Sequence, residues 1–191
     1  MTRRSQAIRR WLRRFRLSEG GAAAVEFALI LPIMLLVYIG STEGSALIIM
    51  DRKVQTVAGS LGDLVARSDK KISQTQMTDY FRAATAIINP YAATDLLQVV
   101  TGVTVSSTGV ATVSWSKQYI NGAYSDGPYG KNTPFSLPAE MIAISKGDFV
   151  IVAEASTSYT PLYGLVFEQA IDLQRANFYL PRFDGAISEP S

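Results

Sequence analysis

The sequence predicts an α+β fold: a long N-terminal transmembrane helix, then a second helix packed on an antiparallel sheet of about four strands. Three observations predict it. No charged residue occurs from Phe27 to Thr42. Apolar residues then recur every three or four positions to about Arg67, the period of a helix. From about Leu96 the period changes to two, that of a strand with one buried face. The expected division is a basic leader at 1–21, a transmembrane and extended helix at 22–67, and an α+β domain at 68–191.

The leader carries Arg3, Arg4, Arg9, Arg10, Arg13, Arg14 and Arg16, with no acid among them. Ile8, Trp11, Leu12 and Phe15 follow at spacings of three and four, so an amphipathic helix is expected at a membrane surface. Arginines before an apolar run keep that end in the cytoplasm. Without these seven, 11 basic side chains face 16 acidic ones. The rest of the chain is therefore mildly acidic, which argues against a nucleic-acid partner. The absence of histidine and cysteine excludes zinc sites built on them, and Ser-His-Asp or Cys-His nucleophile systems. No disulfide can form, so the redox compartment is not legible.

The uncharged run Phe27–Thr42 spans roughly 24 Å as a helix, short of a ~30 Å hydrocarbon core. Extension back to Ala22 and forward to Met50 makes it long enough but takes in Glu26 and Glu43. A secretory signal cut within Gly40–Ala46 is the alternative. Against that alternative, Leu47, Met50, Val54, Val57, Leu61, Leu64 and Val65 carry the helical period straight on. Pro32 removes one internal hydrogen bond, giving a passive kink or a hinge. Glu43 belongs either at the outer interface or in an ion pair within a helical bundle.

Ser73 followed by Gln76 is a capping box, so a second helix starts there. Its apolar face is Met77, Phe81, Ala84, Ile87 and Ile88, and Asn89-Pro90 ends it. Val99, Thr101, Val103 and Val105, then Ala111, Val113 and Trp115 across a turn at Ser106–Gly109, read as a hairpin. Ile120–Leu137 is rich in Gly, Ser, Asn, Asp and Pro and reads as a loop. Lys146–Asp148 is a turn, Phe149–Tyr159 a strand, Pro161–Gln169 a short helix or loop, and Ile171–Leu180 the last strand.

No constellation of catalytic residues emerges, so no enzyme activity and no cofactor are expected. Gly127–Thr133 fails the phosphate-loop spacing. Asp126, Asp148, Glu154 and Asp184 show no calcium-loop pattern, and one sequence cannot pair two of them as in a glycosidase. Tyr119, Tyr124, Tyr129, Tyr159, Tyr163 and Tyr179 are either half-buried sheet residues or an adhesive surface.

The most informative stretch is Gly20-Gly21-Ala22-Ala23-Ala24-Val25-Glu26-Phe27. A carboxylate near the start of a membrane helix is penalised by a few kcal/mol unless a partner offsets it. It is either a chance polar residue at the interface or half of a pair. Cleavage after Gly21 would supply the partner: Ala22 gains a free ammonium one helical turn from Glu26. That arrangement resembles the class IV prepilin signal, with a glycine before the cut and a Glu-Phe pair at the fifth and sixth mature positions. Gly21, Ala22, Val25, Glu26, Phe27, Ala28, Pro32, Glu43 and Gly44 together resemble the N-terminal block of TadE/TadG-like proteins of the tight-adherence (Flp) pilus system. Tyr159–Leu162 and Tyr179–Arg182 are weaker elements of the same resemblance.

The resemblance implies a single-pass, pilin-like inner-membrane protein of bacteria, a pseudopilin or minor pilin with its leader in the cytoplasm and its C-terminal domain in the periplasm. Its implied partners are the inner membrane, a prepilin peptidase, and other pilins and pilus assembly proteins. In this reading Gly21 and Ala22 flank the processing site, Glu26 and Phe27 set assembly register, and Phe27, Pro32 and Glu43 mark the membrane helix. The alternatives are an uncut membrane-anchored assembly factor and a tethered extracytoplasmic binding domain.

Overall fold

The computed structural model describes residues 20–161, 164, 168–183 and 185–191. The expected leader helix with its seven arginines, Tyr163, Asp184 and most of the stretch Pro161–Gln169 lie outside the described residues.

One unbroken helix, α1, runs from Gly20 to Ala66, through Pro32. At 1.5 Å per residue it is roughly 70 Å long, more than twice the width of a small domain. Its second half follows the expected period: Met50, Val54, Val57, Leu61 and Val65 are all buried. After a polar link, α2 spans Gln74–Thr85 and a 3-10 turn spans Ala86–Ile88. Ser73 caps α2 by accepting a hydrogen bond from the Gln76 N–H at 3.1 Å. The reciprocal arm of the capping box is not made: Gln76 donates to the Tyr80 hydroxyl instead. Lys53 of α1 donates to the carbonyls of Ile87 and Asn89, which satisfies groups left open where the helical segment ends.

Five antiparallel strands follow: β1 Leu97–Val105, β2 Ala111–Ile120, β3 Ala123–Asp126, β4 Phe149–Tyr159 and β5 Ile171–Tyr179, in the order β3-β2-β1-β4-β5. β3 lies inside the stretch expected to be a loop. Its turn is Asn121-Gly122, both at positive φ (52° and 79°), the geometry of a two-residue hairpin. A short helix, α3 (Ala139–Ile144), precedes β4.

The first hairpin departs from the single buried face expected. Its register shifts opposite Gly102/Val103, because Gly102 pairs with Trp115 and Val103 with Val113. The bulge at Ser114 reverses the alternation along β2. Trp115 and Tyr119 therefore join the core beneath α1 and α2, while Ala111 joins a smaller cluster on the opposite face. That second cluster, with Val103, Val105, Val150 and Val152, is covered by Phe135 and Leu137 and by Met141 and Ile142 of α3. β1 and β4 are thus buried on both sides, and β4 reads as a nearly continuous apolar run.

The C-terminal segment closes the domain. The Arg182 N–H donates to the Ala66 carbonyl at 2.8 Å, capping the end of α1. Ser188 N–H donates to the Lys70 carbonyl, and Gln74 N–H donates to the Ser191 carbonyl. Ile187 is buried, and its carbonyl accepts from the indole N–H of Trp115 at 2.8 Å.

Candidate functional site

The candidate site is α1, whose two halves differ in chemistry. From Gly21 to Tyr38 every residue is exposed, including Phe27, Leu29, Ile33, Leu36 and Val37. Apolar residues occupy all sides of this half. A helix apolar all round is stable where water is absent, in a protein core or a bilayer. Among the described residues no core surrounds it. The hydroxyls of Ser41, Thr42 and Ser45 each donate to a backbone carbonyl three or four residues earlier. Their polar groups are thereby satisfied within the helix, as an apolar surrounding requires. Gly21–Thr42 spans about 33 Å, enough for a hydrocarbon core. Among the described residues, α1 is the one helix long and apolar enough to cross a membrane.

Glu43 marks the change. It is 1% exposed and packs against the domain of its own chain, off the free surface of the helix. Burial raises the Tyr159 phenol above its ordinary pKa, with further contributions from Tyr91 and Glu43. Tyr91 and Glu43 therefore each lie within electrostatic reach of Tyr159.

Beyond Glu43 the helix is held in place by specific contacts. Asp51 pairs with Arg175 of β5 at 2.6 Å. Asp63 pairs with Arg67, just past the end of the helix, and with Arg182 after β5. The Tyr179 hydroxyl donates to the Gly59 carbonyl at 2.9 Å. Gly59 and Gly62 form a notch for that tyrosine: a Cβ on Gly62 would sit 2.5 Å from the Tyr179 ring and 3.1 Å from Ala153 Cβ. Tyr179 and Arg182, which flank Leu180-Pro181, thus both bind the base of α1. The sequence did not mark these two glycines. Their signal is a three-residue spacing on the face that carries Ala58, Leu61 and Val65.

Each residue singled out from the sequence has a definite place. Gly21 and Ala22 lie in the exposed first turn, and a Cβ on Gly21 would meet nothing within 4 Å. Glu26 and Phe27 are exposed one turn further on, and Pro32 is exposed within the continuous helix. These five share the exposed half, and Glu43 is separated from them on the docked half. Tyr119 and Tyr159 are core residues, while Tyr124, Tyr129 and Tyr179 are half-buried. Among the described residues no three His, Cys, Asp or Glu side chains cluster as metal ligands.

The family model described as TadE-like protein matches residues 21–59. No curated protein and no solved structure matches the chain. The matched stretch takes in the exposed half of α1, Glu43 and the first docked turns. From Gly21 to Gly59, then, this chain is similar to TadE-like proteins.

Proposed function

We propose that this protein is a pseudopilin or minor pilin of the tight-adherence pilus, anchored in the bacterial inner membrane by Gly21–Thr42. Its arginine-rich leader stays in the cytoplasm, and its α+β domain faces the periplasm in a pilin-like arrangement. A prepilin peptidase cuts after Gly21. The new Ala22 ammonium and Glu26 stand four residues apart, on one face of a helix. In a medium of low dielectric an unmatched charge is penalised, so each helix slides until its Glu26 meets an ammonium, its own or a neighbour's. Lateral packing of the apolar helices then offsets their loss of lipid on leaving the bilayer. The role is structural: the chain acts by packing against other pilins and assembly proteins, with no reaction of its own.

The observation that carries this reading is the all-round apolar half of α1, which has no cover from the described residues of its own domain. Intact-mass analysis of the membrane form is the test. The expected chain begins at Ala22, and Gly21→Ala leaves it beginning at Met1. A wild-type chain still starting at Met1 in cells that contain the peptidase contradicts processing. Sheared filaments that lack the protein would instead make it an assembly factor that remains in the membrane.

A further inference from the structure

β4 carries a single charged side chain, Glu154. It lies on the sheet face away from α1, opposite Ala176 of β5 and two cross-strand pairs from Val152 and Phe178, the next pair on that face. Ala176 is too small to fill the space beside the carboxylate. The segment between β3 and α3 arches over it, held to the sheet by hydrogen bonds from Phe135 N–H to the Ala111 carbonyl and from Val113 N–H to the Thr133 carbonyl. The result is a cavity of about 330 Å³ lined by Tyr129, Phe135, Val152, Glu154, Ala176 and Phe178, among others. That is the low end of volumes that hold a small ligand.

Its chemistry is lopsided. The Tyr129 hydroxyl donates to Glu154 Oε1 at 3.1 Å. Glu154 Oε2 is buried and accepts no hydrogen bond. Among the described residues no basic side chain lines the cavity. Tyr129 and Phe135 meet edge to face, with centroids 4.9 Å apart at 77°. A half-satisfied buried carboxylate is penalised until a donor reaches it, and aromatic faces attract cations. Burial raises the Glu154 carboxyl above its ordinary pKa, and the Tyr129 bond opposes that rise.

We propose that this cavity binds an alkylammonium group, supplied by a lysine side chain of a partner or by a small free amine, with the Glu154 carboxylate as its acceptor and Tyr129 and Phe135 as its aromatic walls. The test is calorimetric titration of the full chain in detergent micelles with butylammonium, with the amide of Nα-acetyl-lysine, and with butanol as the neutral control. Butylammonium is expected to bind at least about tenfold tighter than butanol, as a charge-assisted hydrogen bond implies. Glu154→Gln should abolish that preference with an unchanged melting temperature. Should that variant unfold, Ala176→Leu fills the space beside the carboxylate while leaving the acid in place, and should block the amine equally. Tighter binding of the lysine amide than of butylammonium identifies a protein partner as the source, and the reverse identifies a free amine. Equal affinity for butylammonium and butanol, or amine binding that survives Glu154→Gln, overturns the proposal.

Discussion

Gly62 shows how a single hydrogen atom sets the position of a 47-residue helix. Alanine is favoured over glycine inside a helix by about 1 kcal/mol. At this position the added methyl would enter the Tyr179 ring at 2.5 Å. That ring cannot swing away freely, because its hydroxyl is bonded to the Gly59 carbonyl. Overpacking of this kind typically costs about 1–3 kcal/mol, so it outweighs the propensity gain. Gly62→Ala is therefore expected to destabilise the domain by about 1 kcal/mol, measured by urea unfolding of the full chain in detergent. A stabilised variant would mean that propensity wins and the notch is unimportant. No propensity argument reveals this, since the conflict lies between residues more than a hundred positions apart.

At the scale of the element, α1 is continuous in backbone and divided in environment. From Gly21 to Tyr38 the side chains remain exposed and contribute no packing to the described domain. The half after Glu43 supplies Met50, Val54, Val57, Leu61 and Val65 to the main core. A chain that begins at Thr42 should accordingly be soluble without detergent and keep a cooperative melt. A shift in midpoint of more than about 4 °C, near 1 kcal/mol for a domain of this size, would show that the exposed half stabilises the fold. The period of three and four made this helix legible to its last turn, and alternation placed β4 and β5 within a residue of their ends. β3 was hidden because its four residues include two polar ones, Ser125 and Asp126, within a polar stretch. Asn121-Gly122 was the local signal available. The bulge at Ser114 was not legible, because alternation continues unbroken in the letters while the pairing slips in space.

At the scale of the whole molecule, an ion-pair network ties the C-terminal segment to the sheet. Lys117 is 7% exposed, and its ammonium contacts Asp126 at 2.6 Å and Glu189 at 2.9 Å. Burial pushes the Lys117 pKa down, but hydrogen bonds to Asp126 and Glu189 outweigh it and leave the group raised. The Lys117 hydrogen bond holds both carboxylates below their ordinary range, helped at Glu189 by Lys131. The signs follow by linkage. The carboxylate contribution is complete above about pH 4.5 and is lost as pH falls through their lowered pKa values. The lysine contribution is complete below about pH 10 and is lost as pH rises through its raised value. The melting temperature of the full chain should thus drop below pH 4. Lys117→Met should shrink the difference between pH 7 and pH 3, and an undiminished difference would assign acid sensitivity to other groups.

The long apolar helix, the second helix and most of the strands follow from patterns local in the chain, because burial on one side of a helix or strand imposes its period on neighbouring letters. The block from Gly21 to Gly44 is legible for the same reason, since charge, proline and apolar positions all lie within a few turns. The arrangement of these pieces is of another kind. The burial of Glu43, the Gly59–Gly62 notch for Tyr179, the second apolar cluster and the pairing of Tyr129 with Glu154 each join residues distant in sequence. Such contacts leave no period behind them, and only packing in three dimensions decides them.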